Sequence, residues 1–204
     1  QVTEMINAGV DFISTCMDLN GMKTLAQELE RQGVRDKIVM YHPNTYDRPF
    51  VAAAEGLFDG DMVAPQFAAL EYTGVPAMAT LTEWVDKQGG PQAEQTVVGW
   101  INAHLFVTGL LEAGPEFDRA KVIDGLNALT AYNADGLINP INWTTQHTPP
   151  TEGDPTNDYL YECVSLVRMQ GDGFVPVSDL DKPFLCWDNA TLDYAEPMAM
   201  SFNA

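Results

Sequence analysis

Five polar side chains follow two predicted strands, each group at the point where a strand ends. Asp18 and Asn20 lie in the turn after the first strand, and His42, Asn44 and Tyr46 follow the second. Carboxylate, amide, imidazole and phenol groups bind small polar molecules through hydrogen bonds. The five residues therefore predict a small-molecule binding site, and their types and spacing indicate no reaction.

Each group also has a structural interpretation. Asp18 or Asn20 is expected to cap the following helix, because Asp and Asn side chains accept hydrogen bonds from the free N–H groups at a helix start. Asn44 follows Pro43, and in such turns an Asn side chain commonly bonds its own backbone. Ligand contact and a structural role both stay open at this point.

Patterns for catalysis or metal binding are missing from the sequence. There is no GxSxG, GxGxxG or phosphate-loop motif, and Cys16 has no histidine base nearby in sequence. The paired carboxylates Asp59 and Asp61 lie in a segment that reads as a turn. The three histidines are far apart and lack HxxxH spacing: His42, His104 and His147. We therefore predict no enzyme, no metal site and no cofactor.

Residues 9–41 predict the elements that position this site. Val10–Thr15 and Lys37–Tyr41 read as strands, and Met22–Gln32 between them reads as an amphipathic helix that Gly33 ends. Parallel strands joined by a helix bury both faces of their sheet, and their carboxyl ends open onto the crevice where such sheets bind ligands. The sequence thus predicts an α/β fold with doubly wound parallel sheets.

The rest of the chain predicts one more strand, Met62–Pro65, and a series of helices. These helices are Tyr46–Gly56, Thr80–Lys87 with a capping box at Thr80 and Glu83, Val97–Glu112 and Asp118–Leu129. Val97–Leu111 is the most apolar stretch and predicts a buried helix. No run of 18 apolar residues exists, so we expect no membrane span. We divide the chain near residue 90, into 1–90 and 91–204.

Composition narrows the class of partner. The 204 residues are 46% hydrophobic and carry 29 acidic against 10 basic residues, a net charge of −19. Such a chain folds into a globular protein, and it lacks the clustered basic residues that nucleic acids require. Acidic charge also disfavours an anionic membrane surface. No nucleic-acid partner is expected.

Two cysteines flank a predicted hairpin. Cys163 and Cys186 lie on either side of strands Tyr159–Met169 and Phe174–Val177, so a disulfide between them is geometrically reasonable, with two free thiols as the alternative. A disulfide would imply an oxidising compartment. Cys16 is left over, and an odd cysteine in an exported protein suggests a partner elsewhere.

The order of these segments resembles a known family. The segments that carry the resemblance are Asp11-Phe12-Ile13, the polar turn, the helix ending at Gly33, Ala54-Glu55-Gly56, Glu83-Trp84, Glu112-Ala113-Gly114 and Asp135–Trp143. Together they are similar to the C-terminal lobe of type I periplasmic substrate-binding proteins. The closest branch contains the branched-chain amino acid-binding proteins of ABC importers. The resemblance covers nearly the whole chain.

The resemblance implies two lobes that close on a ligand without chemistry. Family members are about twice as long. This chain would therefore be the C-terminal half, with 1–90 in the C-terminal lobe and 91–204 in the remainder of the N-terminal lobe, with hinge crossings and a C-terminal hairpin. Residues 2–9 read as the end of a helix, so we expect the chain to begin inside a βα unit.

Partners and location follow from the same resemblance. The implied partners are a small amino-acid-like or amide ligand, an ABC permease and the missing N-terminal half of the same protein. The implied location is the periplasm or the cell exterior, with a lipid anchor on an N-terminus outside this chain. Two alternatives stay open: a ligand-sensing regulator of the same fold, and a hydrolase-type enzyme that uses Cys16 or Asp18.

Overall fold

The computed structural model describes residues 1–147 and 161–188 of the chain. Its strands are β1 (Phe12–Ser14), β2 (Val39–His42), β3 (Met62–Val63), β4 (Tyr161–Ser165), β5 (Val167–Gln170), β6 (Gly173–Pro176) and β7 (Phe184–Asp188). Its α-helices are α1 (Val2–Asn7), α2 (Leu19–Arg31), α3 (Arg48–Ala52), α4 (Met78–Gln88), α5 (Glu94–Ala113), α6 (Arg119–Asn127) and α7 (Trp143–Gln146). Short 3-10 helices lie at Arg35–Lys37 and Ala134–Gly136.

The main sheet has five strands in the order β1-β2-β3-β5-β6. β1, β2 and β3 run parallel, whereas β5 and β6 pair in antiparallel fashion. Helices pack around this parallel-rich sheet, which confirms the predicted α/β class. β5 and β6 come from the second predicted segment and extend the sheet of the first, and the division near residue 90 stays a prediction.

The predicted hairpin is confirmed in its turn and corrected in its first strand. β5 and β6 face each other across Gly171 and Asp172, with Met169 opposite Phe174. The predicted first strand is interrupted at Leu166, because β4 leaves the main sheet and pairs with β7. That pairing places Cys163 opposite Cys186, and the two form a disulfide. Tyr159, the predicted start of the strand, lies outside the described residues.

Helix α2 confirms the predicted amphipathic helix, since Met22, Ala26 and Leu29 are buried along one face. Asp18 is its N-cap, and Oδ1 of Asp18 accepts a hydrogen bond from the Gly21 N–H at 2.9 Å. Gly33 follows the helix with φ of +70°, the left-handed conformation that glycine adopts without strain.

Two other predicted helices have different boundaries. Helix α3 begins after Asp47, whose carboxylate caps it by accepting from the Phe50 N–H at 2.9 Å. It ends at Ala52, well before the predicted Gly56. The predicted capping box at Thr80 and Glu83 is wrong, because α4 already begins at Met78 and its N-cap residue makes no side-chain hydrogen bond.

Helix α5 is not the buried helix that its composition predicts. Its buried residues are Val97 and Gly109, whereas the exposed fractions of Phe106, Val107 and Leu111 are 58%, 52% and 76%. The helix carries apolar residues on two faces, and the described part of the chain covers one of them. Among the described residues it is also the one helix long and apolar enough to cross a membrane. This is weak evidence for a membrane span, because core helices pass the same test.

The sheet has an uncovered apolar surface as well. Ile13 and Met40 are buried on one side of β1 and β2, but Phe12 and Val39 on the opposite side are 55% and 41% exposed. Tyr41 shares that side, its ring 6.3 Å from the Phe12 ring. We call Phe12, Val39 and Tyr41 the bare sheet face. The prediction that both faces are buried is therefore wrong at β1 and β2.

The two sides of β1 make different predictions for stability. Ile13→Ala should lower the free energy of unfolding by about 2–5 kcal/mol, because it leaves a cavity in the core. Phe12→Thr should change it by less than about 0.5 kcal/mol, since the side chain is exposed and Thr suits a strand. Urea unfolding of the 204-residue chain measures both values. A loss of several kcal/mol for Phe12→Thr would show that another surface covers this face.

Candidate binding site at the carboxyl edge of the sheet

The ends of β1 and β2 bring the two predicted groups of site residues to one edge. The Thr15 N–H donates to the Tyr41 carbonyl at 3.0 Å, and the Ala64 N–H donates to the His42 carbonyl at 3.1 Å. These bonds extend the parallel pairing just past the strands. The turn that holds Asp18 and the segment that follows His42 therefore leave the sheet at its carboxyl edge, where ligands bind in open α/β sheets.

Three of the five predicted residues are exposed at this edge: Asp18, Asn20 and Asn44. We call them the polar rim. One carboxylate oxygen of Asp18 serves as the cap of α2, and the backbone carbonyl of Asn20 accepts from the Thr24 hydroxyl at 2.8 Å. The Asn20 side chain plays no part in that bond. The rim thus combines a negative charge with two amide groups, which suits a small ligand with hydrogen-bond donors.

His42 lies inside the protein rather than at the rim. Its side chain is fully buried, with Nδ1 3.2 Å from the Thr15 hydroxyl and Nε2 3.3 Å from a carboxylate oxygen of Asp61. Both ring nitrogens therefore have a partner within the fold. A direct ligand contact by His42 stays a prediction, and the geometry favours a structural role.

Asp61 was missed by the sequence reasoning, which took it for part of a turn. Its side chain is buried, and Oδ2 lies 2.5 Å from Nη2 of Arg35. Its other oxygen accepts from the Met40 N–H at 3.0 Å. Arg35 also donates to the carbonyls of Ile38 and Leu57, at 2.7 and 2.9 Å. No local sequence pattern marks this pair, because its members come from separate connections.

Tyr46 is the second predicted residue that the structure buries. Its hydroxyl donates to a Glu71 oxygen at 2.7 Å and accepts from the Leu70 N–H at 2.8 Å. Its ring lies 5.7 Å from that of Phe67 and 4.8 Å from that of Phe174. A ligand contact by Tyr46 stays a prediction, and its hydrogen bonds instead tie the segment after β2 to residues 70–71.

Burial perturbs both ends of the Tyr46–Glu71 hydrogen bond. Loss of solvent raises the pKa of the Tyr46 hydroxyl well above its ordinary value, and the neighbouring Glu71 charge adds to that rise. Loss of solvent also raises the pKa of the Glu71 carboxyl, although the hydrogen bond from Tyr46 partly opposes it. Ionisation of Glu71 therefore lowers the stability of the folded protein relative to the unfolded chain.

A cavity of about 460 Å³ is lined by residues of α5, of the start of α4 and of the 3-10 helix at Ala134–Gly136. His104 lines it, with Nδ1 3.1 Å from the Tyr132 hydroxyl and Nε2 3.3 Å from an Asp135 oxygen. Burial, followed by the charge of Asp135, raises the pKa of Tyr132 to about 12. Trp100 also lines the cavity. Sequence reasoning missed this group, because its members are scattered and follow no motif.

The flank of β1 has a larger groove, of about 680 Å³, between α1 and α2. Thr15, Cys16 and Met17 line one end of it, and Cys16 is an exposed free thiol. In residues 1–147 and 161–188, no three His, Cys, Asp or Glu side chains are grouped so as to hold a metal ion.

Residues 1–172 match the sequence model of the periplasmic binding protein family. The chain belongs to this family. A search of curated protein sequences found no significant match.

Several solved structures share the fold of this chain. A branched-chain amino acid ABC transporter protein from Thermus thermophilus with bound valine has a TM-score of 0.62 at 18% identity, over 89% of this chain and 50% of its own. A leucine-binding protein from Thermotoga maritima gives 0.60 at 13%, over 94% and 48%. An R. palustris solute-binding protein in complex with benzoate gives 0.58 at 13%, over 90% and 46%. At such identities the likeness concerns the fold, and this periplasmic binding protein spans about half the length of each relative.

Removing the Tyr46 hydroxyl tests its structural role. Tyr46→Phe should lower the free energy of unfolding by about 1–3 kcal/mol, because the Leu70 N–H and the Glu71 carboxylate lose a buried partner. Chemical denaturation at pH 7 measures the loss. Tyr41→Phe is the matched control, since Tyr41 lies on the bare sheet face, and it should change stability little. Equal stability of the Tyr46 variant and the wild type would contradict the role.

The raised pKa of Glu71 predicts a dependence of stability on pH. The folded protein holds the Glu71 proton more tightly than the unfolded chain does, so this contribution is complete below the ordinary value of 4.5 and is lost as pH rises through the folded pKa. Glu71→Gln keeps an acceptor for Tyr46 without the charge. Between pH 4 and pH 7, the Tm of this variant should therefore rise relative to that of the wild type.

Calorimetric melting across this pH range is the measurement. Glu30→Gln, at an exposed position of α2, is the control and should show no such gain. A Glu71→Gln variant that loses Tm relative to the wild type at pH 7 would mean that the ionised carboxylate is needed.

Proposed function

We propose that this protein is an extracytoplasmic solute-binding protein. It captures a small amino-acid-like or amide ligand between two lobes, for delivery to the permease of an ABC importer. The polar rim at the carboxyl edge of a periplasmic binding protein sheet is the observation that carries this proposal. The ligand is held by hydrogen bonds and lobe closure, with no covalent step.

The structural relatives support the ligand class. One is described with valine and another with benzoate, which are both small molecules with a carboxylate and an apolar body. The rim of this chain adds an exposed negative charge at Asp18. A carboxylate at this position attracts an ammonium or an amide N–H group, so an amino acid or amide suits it better than a simple acid.

The five predicted residues divide into two roles in this proposal. Asp18, Asn20 and Asn44 contact the ligand because solvent reaches them at the edge. His42 and Tyr46 are positioning residues, whose buried hydrogen bonds fix the segments that carry the rim. When the rim has a fixed geometry before the ligand arrives, fewer side chains have to be ordered on binding, and the entropic cost of binding is smaller.

The opposing wall of the site comes from the part of the fold that this chain does not cover. The relatives are about twice as long as the matched region. We therefore propose a complete protein in which a second segment supplies the other side of the cleft. The disulfide supports a periplasmic or extracellular location, since disulfides persist in oxidising compartments. A lipid anchor stays a prediction.

A charge-only substitution tests the role of Asp18. Asn caps helices as well as Asp does, so Asp18→Asn should preserve α2 and the Tm. It removes the negative charge at the rim, and we expect the Kd for the ligand to rise by about tenfold or more, the cost of losing a charge-assisted hydrogen bond. Titration calorimetry of the complete protein against amino acids, amides and aromatic acids first identifies the ligand and then gives the Kd.

Asp118 offers a matched control. It caps α6 in the same way, accepting from the Lys121 N–H at 2.9 Å, and it lies on a different element. Asp118→Asn should leave both Tm and Kd unchanged. If no compound of these three classes binds, the solute-binding proposal fails. If binding is found but Asp18→Asn binds as tightly as the wild type, Asp18 is a cap and nothing more.

A further inference from the structure

The cavity beside His104 has no part in the proposed function. Residues at the start of α4, in α5 and in the 3-10 helix at Ala134–Gly136 line it, and we call it the α5 cavity. Its volume of about 460 Å³ is typical of small-molecule sites, which span roughly 300–1,000 Å³. None of its lining residues belongs to the polar rim. The α5 cavity is therefore a candidate for a ligand of its own.

The lining of the α5 cavity combines apolar surface with a negative charge. Pro76, Ala77 and the indole ring of Trp100 supply the apolar surface, and Asn133 and Asp135 supply an amide and a carboxylate. Neither Lys nor Arg occurs among the described lining residues. An anion would meet the Asp135 charge there without a lysine or arginine to offset it. An ammonium group, in contrast, is attracted both by a carboxylate and by the face of an indole ring.

The turn that carries Asp135 holds it in place. Its neighbour Ala134 is buried, and so is Leu137, whose N–H donates to the Ala134 carbonyl at 3.2 Å. Asp135 itself stays exposed between these two anchors. Ala134 and Asp135 have φ of +48° and +54°, a left-handed conformation that residues other than glycine rarely adopt. Strained backbone of this kind is concentrated at ligand sites, where it presents a side chain in a set direction.

His104 fixes the Asp135 carboxylate from the side of α5. Nε2 of His104 lies 3.3 Å from one carboxylate oxygen, and Nδ1 lies 3.1 Å from the hydroxyl of the buried Tyr132. Both ring nitrogens therefore have a partner, and the imidazole is oriented before any ligand arrives. The other carboxylate oxygen of Asp135 has no hydrogen-bond partner in residues 1–147 and 161–188. That oxygen can accept from a ligand at a small cost in ordering entropy.

We propose that the α5 cavity is a second binding site, which takes a small organic ammonium compound with an apolar body. The ammonium group donates to the unpartnered oxygen of Asp135, and the apolar body packs on Trp100. The Asn133 amide and the Thr80 hydroxyl, which also line the cavity, offer further acceptors. This site does not depend on the proposed function, since it shares no residue with the polar rim.

Charge favours an organic cation over other occupants. The net charge of −19 attracts cations to the surface of the chain. A metal ion is disfavoured because His104 and Asp135 are only two ligands, and the described residues contain no group of three His, Cys, Asp or Glu side chains that could hold a metal ion. A neutral compound would leave the Asp135 carboxylate without a matching charge.

Two probes that share one carbon skeleton test the site. The probes are 2-phenylethylamine, which carries an ammonium group at pH 7, and 2-phenylethanol, which carries a hydroxyl in its place. Titration calorimetry of the complete protein gives the Kd of each. We expect the amine to bind about tenfold or more tightly than the alcohol, because only the amine makes a charge-assisted hydrogen bond with Asp135. This comparison is made in the wild type and needs no variant.

Asp135→Asn removes the charge at the same size, and Asn also tolerates the left-handed conformation. The Kd of the amine should rise about tenfold in this variant, whereas the Kd of the alcohol should change less than about twofold. A merely structural role of Asp135 would weaken both probes alike. Asp124→Asn, at an exposed position of α6, is the matched control and should leave both Kd values unchanged.

Several results would overturn the proposal. These are the absence of amine binding, equal affinity of the wild type for the two probes, and an equal loss of both probes in Asp135→Asn. Asp18→Asn separates this site from the polar rim, and we expect it to bind the amine as tightly as the wild type does. Loss of amine binding in Asp18→Asn, with binding retained in Asp135→Asn, would assign the amine to the rim and contradict a second site. None of these results bears on whether the rim binds an amino acid or amide.

Discussion

The candidate site depends on the ion pair and hydrogen bonds of the buried Asp61 carboxylate. It pairs with Arg35, accepts the Met40 N–H and faces His42, which in turn contacts Thr15. An unpaired charge at this depth would be strongly destabilising, so breaking the pair is expected to cost about 3–5 kcal/mol. The network couples the ends of β1 and β2 to the start of β3. The exposed rim can therefore keep a fixed geometry, although Asp18 and Asn44 lie outside helices and strands and Asn20 lies in the first turn of α2.

The second constraint is that apolar faces must be covered. Phe12 and Val39 on the sheet, and Phe106, Val107 and Leu111 on α5, remain exposed in the described residues. Each face contradicts a prediction of burial. Periodicity tells which residues prefer the interior, but the layer that covers them can come from outside the sequence in hand. The half-length match to the relatives fits this explanation.

Local sequence rules predicted helix α2 and its cap but failed at the start of α4 and the end of α3, and they could not predict long-range contacts. Helix α2 was predictable from the apolar spacing of Met22, Ala26 and Leu29 and from the cap at Asp18, because both signals act within a few residues. The placement of His42 was also within reach of the sequence. Side chains alternate along a strand, so His42 shares the side of buried Met40. The contacts of Asp61 with Arg35 and of Tyr46 with Glu71 join separate loops, and no spacing encodes them.

The separation of buried from exposed polar groups favours recognition over catalysis at this edge. A catalytic carboxylate or imidazole must reach its substrate, yet the side chains of Asp61 and His42 are occupied by partners inside the fold. The groups that solvent reaches are one carboxylate and two amides, which donate and accept hydrogen bonds. Their binding energy is better used for selecting a ligand than for lowering a barrier. A rim of this kind binds a ligand tightly only when an opposing wall excludes water from the same hydrogen bonds.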